Sequence, residues 1–425
     1  MLAAIIGTFL VNILLGVPLF ICLLLAALIG FVFVDFSLAY RMIPQQFYGG
    51  INSFALMAIP LFIFAGNLMN TSGLTSQLIR LANSLVGHLR GGLGYVNVVS
   101  SVFFAGVNGS AVADTSALGS LLVPAMKKEG YATNYAAGLT AASSLIGPII
   151  PPSIFMILYA SLTNTSVGDL FLAGVIPGLL LGSAFLVMNY IYVRKVGIQS
   201  QHERASLKGV LSAFWYSAPA LLAPFIIVSS IVFGFVTPTE SGALIVAYAL
   251  ILGLLNRTLN MRKLFDALTD TAILTGTIFV IIAASSVVSW LLAYAQLPSQ
   301  LVEYLEPFKN NPTAVLLILS LITFFIGMLM EEVSALMLLT PVFFPVAIAS
   351  GVDPIHLGVV ITVNITIALI TPPMGACVFV AAAVSKLEIT EMFKSIWPFV
   401  LVAICAQVLV ICIPDLTLFL PGIFK

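Results

Sequence analysis

Two stretches of the sequence decide the fold: FFAGVNGSAVADTSALGSLLVPAMKKEGY at residues 103–131 and FFIGMLMEEVSALMLLTPVFFPVA at residues 324–347. A shift of 221 residues superposes them without a gap. Apolar coincidences are frequent in so apolar a chain, but Gly and Pro coincidences in one register are not, so the sequence predicts an internal repeat. The coincident residues are Gly106 with Gly327, Pro124 with Pro345, Gly130 with Gly351, and Pro151-Pro152 with Pro372-Pro373.

Each half of this repeat predicts two interrupted helices. Residues 92–126 and 312–350 are apolar runs with a polar or Gly-rich turn near the middle, which predicts re-entrant helical hairpins. Residues 132–164 and 355–386 contain the segments GPIIPPS (147–153) and ITPPMGA (370–376). Proline removes a backbone N–H and clashes with the carbonyl one turn earlier, so each Pro-Pro pair predicts a broken transmembrane helix.

The composition places the chain in a membrane. Apolar residues make up 61% of the 425 positions, charged residues make up 8%, and the mean hydropathy is +1.16. A soluble domain has about 25% charged residues, so we predict an all-α polytopic membrane protein with lipids as its surroundings. The net charge of zero argues against a nucleic-acid partner.

The apolar segments divide the chain into two repeats, 1–193 and 211–425, joined by a cytoplasmic linker over 194–210. Each repeat has an odd number of crossings, so the second copy is predicted to be inverted, an arrangement typical of transporters. The predicted elements of the first repeat are scaffold helices in 1–70, an amphipathic arm helix 74–90, hairpin 92–126, broken helix 132–164 and helix 169–193. Those of the second are scaffold helices in 211–256, arm helix 259–270, helix 271–296, hairpin 312–350, broken helix 355–386 and helix 395–415.

Basic residues indicate the orientation. With the linker in the cytoplasm, all of the 16 Lys and Arg residues except Arg41, Lys309 and Lys425 fall on the cytoplasmic side. This asymmetry is what the positive-inside rule expects, provided that both hairpins enter and leave on one side. We therefore expect both termini to face the periplasm or exterior.

The helix breaks are the places where chemistry is predicted. Unwound backbone is tolerated at membrane depth where it lines a cavity or is buried in protein. Freed carbonyl oxygens suit a cation such as sodium, and the N–H groups of a new helix suit a carboxylate. The predicted substrate-binding residues at the tips and breaks are Ser110, Ser144, Pro152, Ser153 and Pro373. Further polar residues there are Asn108, Ser143, Ser334, Asn364 and Thr366.

Two adjacent carboxylates, Glu331 and Glu332, mark the second hairpin tip. Ionisable residues at membrane depth are costly and usually functional. Neighbours on a helix point about 100° apart, so we do not expect both to face the same ion. Serines and threonines near the breaks also have a structural interpretation, because they commonly hydrogen-bond neighbouring helices in membrane bundles. Asp114 could, instead of serving a function, cap a helix or pair with another residue within the first hairpin.

The two hairpin stretches and the GPIIPPS and ITPPMGA breaks resemble those of the large membrane (M) subunit of TRAP transporters, the tripartite ATP-independent periplasmic transporters. The resemblance extends over essentially the whole chain and is closest to the sialic-acid type. The resemblance implies a sodium-driven elevator-type importer with no cofactor beyond the coupling ions, in the bacterial inner membrane. Its implied partners are a small four-helix membrane subunit and a periplasmic substrate-binding protein. The implied sodium-binding positions are Gly106, Asn108, Gly109, Ser110, Ser143, Gly147, Gly327, Met330, Glu331, Glu332 and Thr371.

Two other functions compete with an importer that depends on a binding protein. A stand-alone sodium-coupled dicarboxylate or citrate carrier would share the hairpin architecture but would transport without a binding protein. An intramembrane enzyme would need a nucleophile–base pair or a His/Asp metal constellation within the spans, and the sequence offers neither. The chain also has no ATP-binding loop, so the sequence predicts a transporter driven by an ion gradient or another subunit, rather than an enzyme.

Overall fold

A computed structural model describes residues 1–200, 203–308 and 311–424, without the side chains of Val107 and Asn108. The described residues form α-helices, short 3-10 turns and connecting loops, and contain no β-strand. In the first half the helices are α1 (Leu2–Leu14), α2 (Leu19–Val34), α3 (Phe36–Ile51), α4 (Ala58–Thr71), α5 (Leu74–Val86), α6 (Gly92–Asn108), α7 (Ala111–Lys128), α8 (Thr133–Ser143), α9 (Ile154–Thr163) and α10 (Val167–Val196). In the second half they are α11 (Leu207–Val232), α12 (Pro238–Leu255), α13 (Met261–Tyr294), α14 (Leu297–Tyr304), α15 (Pro312–Gly327), α16 (Glu332–Ala349), α17 (Pro354–Ala368), α18 (Ala376–Ser385), α19 (Ile389–Cys412) and α20 (Asp415–Phe424).

Long apolar helices confirm the membrane class. Within the described part of the chain, seven helices are long and apolar enough to cross a bilayer, among them the 30-residue α10 and the 34-residue α13. About 20 residues suffice for a crossing. Many of their large apolar side chains are exposed, as expected for surfaces that contact lipid.

The two hairpins form as predicted, α6 with α7 and α15 with α16, and their second helices begin in the same way. The Ser110 hydroxyl accepts a hydrogen bond from the Ala113 N–H (3.4 Å). The Glu331 carboxylate accepts one from the Ser334 N–H (3.1 Å). Ser110 and Glu331 are related by the repeat, so the two halves share one capping position but fill it with different chemistry.

Both Pro-Pro pairs interrupt a helix, again as predicted. In the first half α8 ends at Ser143, a 3-10 turn spans Ser144–Ile146, and α9 starts only at Ile154. In the second half α17 and α18 are separated by residues 369–375. The bonds Pro151–Pro152 and Pro372–Pro373 are both cis.

The two halves exchange packing partners around the breaks. Helix α7 packs against α18 of the other half, and α16 packs against α9. The Tyr159 hydroxyl on α9 donates a hydrogen bond to the Pro354 carbonyl at the start of α17 (2.7 Å). The hairpins and broken helices therefore form one interlocked core, which brings the tips and breaks together.

Three elements differ from the sequence-based expectation. The predicted arm 259–270 and helix 271–296 are one continuous helix, α13, because no proline interrupts residues 261–294 and its Asn260 cap lies at the start of the arm. Within 1–70 the sequence predicts crossings near 2–16, 18–34 and 51–70, so helix α3, which begins with an Asp35 cap, was not predicted. Its Arg41, Pro44 and Gln residues lower its hydropathy. Helix α20 follows the predicted last span after a break at residues 413–414.

Candidate functional site

The first hairpin tip rests directly on the first helix break. Gly109 has a left-handed backbone (φ 59°), and a Cβ atom there would lie 2.8 Å from the Pro152 carbonyl oxygen. A Cβ on Gly106 would lie 2.5 Å from the Pro224 side chain. Both positions therefore require glycine, for conformation or for space. The side chain of Asn108, predicted to bind sodium, lies outside the described residues.

Ser143 belongs to a buried hydrogen-bond network between α6 and α8. Its hydroxyl accepts from Ser101 (2.9 Å) and donates to Oδ1 of Asn97 (3.0 Å). The Asn97 amide in turn donates to the Thr140 hydroxyl (2.6 Å). Ser143 thus links the first hairpin to the first broken helix. The internal repeat did not indicate Asn97 as a functional residue, because its counterpart in the second half is the apolar Ile318.

Ser144 and Ser153 close the break from its two sides. The Ser144 hydroxyl donates to the Thr140 carbonyl (2.8 Å). The Ser153 hydroxyl donates to the Pro148 carbonyl and accepts from the Met156 N–H (3.3 Å), which caps α9. Both hydroxyls donate their hydrogen bond to a backbone carbonyl, so in this arrangement they can only accept hydrogen bonds from a ligand.

Asp114 approaches the first break more closely than the sequence indicated. It is fully buried in the first turn of α7, where the positive end of the helix favours a carboxylate. A Cβ on Gly147 would lie 2.6 Å from Oδ2 of Asp114. The absence of a side chain at Gly147 therefore admits the carboxylate to the break, a feature that only the folded structure shows.

The second hairpin tip encloses a cavity of about 220 Å³. Four of the predicted sodium-binding residues line it: Gly327, Met330, Glu331 and Glu332. Its opposite wall comes from the second broken helix through residues Ile365, Ala368, Leu369, Met374 and Ala376. Thr371 is buried nearby in the break and donates its hydroxyl proton to the Ile367 carbonyl (2.8 Å).

Both glutamates line this cavity, and the expectation that they do not face the same ion stays a prediction. The two residues differ in local backbone geometry. Glu331 is the capping residue and has extended dihedral angles (φ −69°, ψ 147°), whereas Glu332 is the first residue of α16. The helical angle between neighbours does not apply across that junction. The Glu331 carboxylate also accepts from the Ser334 hydroxyl (3.2 Å).

Other predicted residues differ in accessibility. Pro152 is buried under the first tip, whereas Pro373 is exposed at the second break. Asn364 donates its amide to the Ser320 carbonyl (2.6 Å), which ties α17 to the second hairpin. The candidate site therefore consists of two tip-and-break pairs: a tightly packed first pair, and a second pair with a cavity and two carboxylates.

A helical membrane core of paired hairpins and broken helices, with polar groups at the breaks, defines the chain as a multi-pass transport protein. It belongs to the family described as "Tripartite ATP-independent periplasmic transporter, DctM component", whose model matches residues 6–416. This is a family of transporters, so the chain is a transport permease rather than an enzyme.

Individual relatives agree with this assignment. The chain is 38% identical over 413 residues to the sialic acid TRAP transporter large permease protein SiaM of Vibrio cholerae, with 96% of each chain covered. It is 34% identical to the 2,3-diketo-L-gulonate TRAP transporter large permease protein YiaN of Escherichia coli, with 96% of each covered. Its fold is similar to that of the YdaH transporter of Alcanivorax borkumensis (TM-score 0.62, 15% identity, covering 88% of this chain and 87% of that one).

Proposed function

We propose that this chain is the large membrane subunit of a sodium-coupled importer for organic acids, with coupling ions held at the two hairpin tips. The observation that carries the proposal is the cavity at the second tip. It places two carboxylates, Glu331 and Glu332, against the unwound backbone of a broken helix. Carboxylate and carbonyl oxygens are hard ligands suited to a small cation.

The substrate class we propose is a carboxylate, with sialic acid as the leading candidate. Two named relatives act on sialic acid and 2,3-diketo-L-gulonate, both sugar-derived acids. Helices α9 and α18 start at the two breaks and point their N-terminal N–H groups towards them. Such helix ends favour a substrate carboxylate. Of the proposed substrate-binding serines, Ser110 lies at the first tip, whereas Ser144 and Ser153 give their protons to backbone carbonyls and would contribute acceptors only.

The remaining parts of the proposal concern partners and movement. The words "tripartite" and "component" in the family description, and "large permease" in the relatives' names, support a small membrane subunit and a periplasmic binding protein that delivers the substrate. We place the complex in the bacterial inner membrane, with both termini in the periplasm. We further propose an elevator mechanism, in which the interlocked hairpins and broken helices move as one body against the outer helices.

The test is uptake of radiolabelled sialic acid into proteoliposomes that contain the chain and its small subunit, with binding protein outside. Uptake is expected to require an inward sodium gradient and to collapse when potassium replaces sodium. Full uptake in sodium-free buffer with a proton gradient would overturn the proposed coupling. Uptake by this chain alone, without binding protein, would instead identify a stand-alone carrier.

A further inference from the structure

A second cavity, about 840 Å³ in volume, lies away from the hairpin tips where the start of α6 meets the end of α10. Its polar lining comes from Arg90, Tyr95, Tyr190, Arg194 and Gln199. Leu186, Val187 and Val193 contribute an apolar wall. We propose that this basic cavity binds an anionic phospholipid, with its phosphate at the arginines and its acyl chains along α10.

The charge in the basic cavity favours a phosphate group. Of the described residues that line it, two carry a guanidinium and none carries a carboxylate. The guanidinium of Arg194 lies 4.8 Å from the centroid of the Tyr190 ring. Stacking of this kind restricts the side chain while leaving its N–H groups free. A guanidinium matches phosphate oxygens with two parallel hydrogen bonds, so an anionic head group is the complementary ligand.

The position of the cavity along α10 favours a lipid over a soluble anion. Val187 and Ile191 are 58% and 61% exposed, as expected for side chains that contact acyl chains. The apolar part of the helix ends at Arg194 and Lys195, which lie in its last turn. The cavity therefore joins the hydrocarbon boundary to the head-group region. Basic pockets between helices on the cytoplasmic side are typical binding places for anionic lipid head groups.

The backbone next to Arg90 packs against the end of α10, the helix that carries Arg194. Arg90 precedes Gly91, whose left-handed backbone (φ 66°) packs against α10 so closely that a Cβ would lie 2.3 Å from Val193. The Tyr131 hydroxyl donates to the Gly91 carbonyl (2.6 Å). This packing fixes the loop against the end of α10, so the site is organised before the lipid binds.

The test measures lipid binding to the purified full-length chain in detergent after delipidation. Native mass spectrometry and thermal unfolding would follow titration with phosphatidylglycerol, phosphatidylcholine and inorganic phosphate. Phosphatidylglycerol is expected to bind and to raise the unfolding temperature, whereas the other two leave it unchanged. Each arginine near an anionic head group accounts for about a five-fold change in affinity, so Arg90→Gln with Arg194→Gln should weaken binding by about 25-fold.

Two further variants make the result specific. Arg80 also stacks on a tyrosine, 5.3 Å from the centroid of the Tyr216 ring, but does not line the cavity. Arg80→Gln with Arg262→Gln removes the same charge and should leave phosphatidylglycerol binding unchanged. Arg90→Lys with Arg194→Lys retains the charge without the paired hydrogen bonds and should weaken binding less than the Gln pair.

Three outcomes would overturn the proposal. Unchanged phosphatidylglycerol binding in the Arg90→Gln, Arg194→Gln variant would show that the cavity is not the site. An equal loss in the Arg80→Gln, Arg262→Gln variant would reduce the effect to overall charge. Stabilisation by inorganic phosphate equal to that by phosphatidylglycerol would identify a soluble anion as the ligand.

Discussion

Removal of the Glu331 charge tests the proposed cation cavity most directly. The carboxylate has two roles in the structure: it lines the cavity, and it caps α16 through the Ser334 N–H at 3.1 Å. Glu331→Gln keeps an acceptor oxygen for the cap but loses the charge. Glu331→Ser introduces the residue found at the repeat-related position, Ser110, which caps α7 in the same way. Any defect that both variants share therefore comes from the cavity and not from the cap.

The expected magnitude follows from the two interactions. The loss of a helix cap costs at most about 2 kcal/mol of stability, and both variants largely preserve it. A charged ligand contributes between about 1.5 and 4 kcal/mol to holding a cation, from hydrogen-bond energies to a Coulomb term in a partly screened site. Each 1.4 kcal/mol is a factor of about ten. The half-saturating sodium concentration should therefore rise between about ten-fold and a thousand-fold.

The assay is sodium-dependent uptake in proteoliposomes, with thermal unfolding of the same preparations. Glu240→Gln is the matched control, because Glu240 also serves a helix N-terminus, accepting from the Thr237 N–H at 2.7 Å, and does not line the cavity. It should leave the sodium dependence unchanged. Wild-type sodium dependence in both Glu331 variants would refute the reasoning. A loss of stability without a change in sodium dependence would assign Glu331 a purely structural role.

Three other predictions address the tip, the network and the topology. Gly109→Ala should lower the unfolding temperature and uptake more than Gly130→Ala, because both glycines have positive φ but only Gly109 would clash, at 2.8 Å from the Pro152 carbonyl oxygen; equal effects would contradict this packing argument. Ser143→Ala should cost about 1–3 kcal/mol of stability, measured by thermal unfolding, because the buried Asn97 side-chain oxygen loses its hydrogen-bond donor; a loss below about 0.5 kcal/mol would show that this hydrogen bond contributes little to stability. A cysteine at position 353 should react with an impermeant maleimide in intact cells and one at position 128 should not; labelling at 128 would reject the predicted orientation.

Sequence reasoning located the hairpins and breaks because Gly and Pro act locally. A Pro-Pro pair ends a helix whatever surrounds it, and the capping residues Ser110 and Glu331 follow from the same register. The sequence also placed four residues that line the second cavity. These features depend on a few residues each, and the internal repeat supplied an independent second copy.

What sequence reasoning missed depends on contacts between distant elements. Asn97 joins Ser143 across α6 and α8, and Asp114 meets the break through the space left at Gly147. Neither has a polar counterpart in the repeat, so the comparison of halves hid them. The predicted division between arm 259–270 and helix 271–296 was wrong for a different reason. An amphipathic stretch and an apolar stretch form one helix, α13, when no residue between them breaks it.

The exchange of packing partners bears on how the two tips can move. Helix α9 continues the first break yet packs on the second hairpin, and α18 continues the second break yet packs on the first. Opening one hairpin alone would pull it from a helix of the other half, and would expose the buried Asn97–Ser143 network or the Tyr159–Pro354 hydrogen bond. Unsatisfied polar groups are costly in hydrocarbon. Displacement of the interlocked core as one body avoids that cost, and it carries both candidate cation positions together, which favours the elevator movement proposed for this permease.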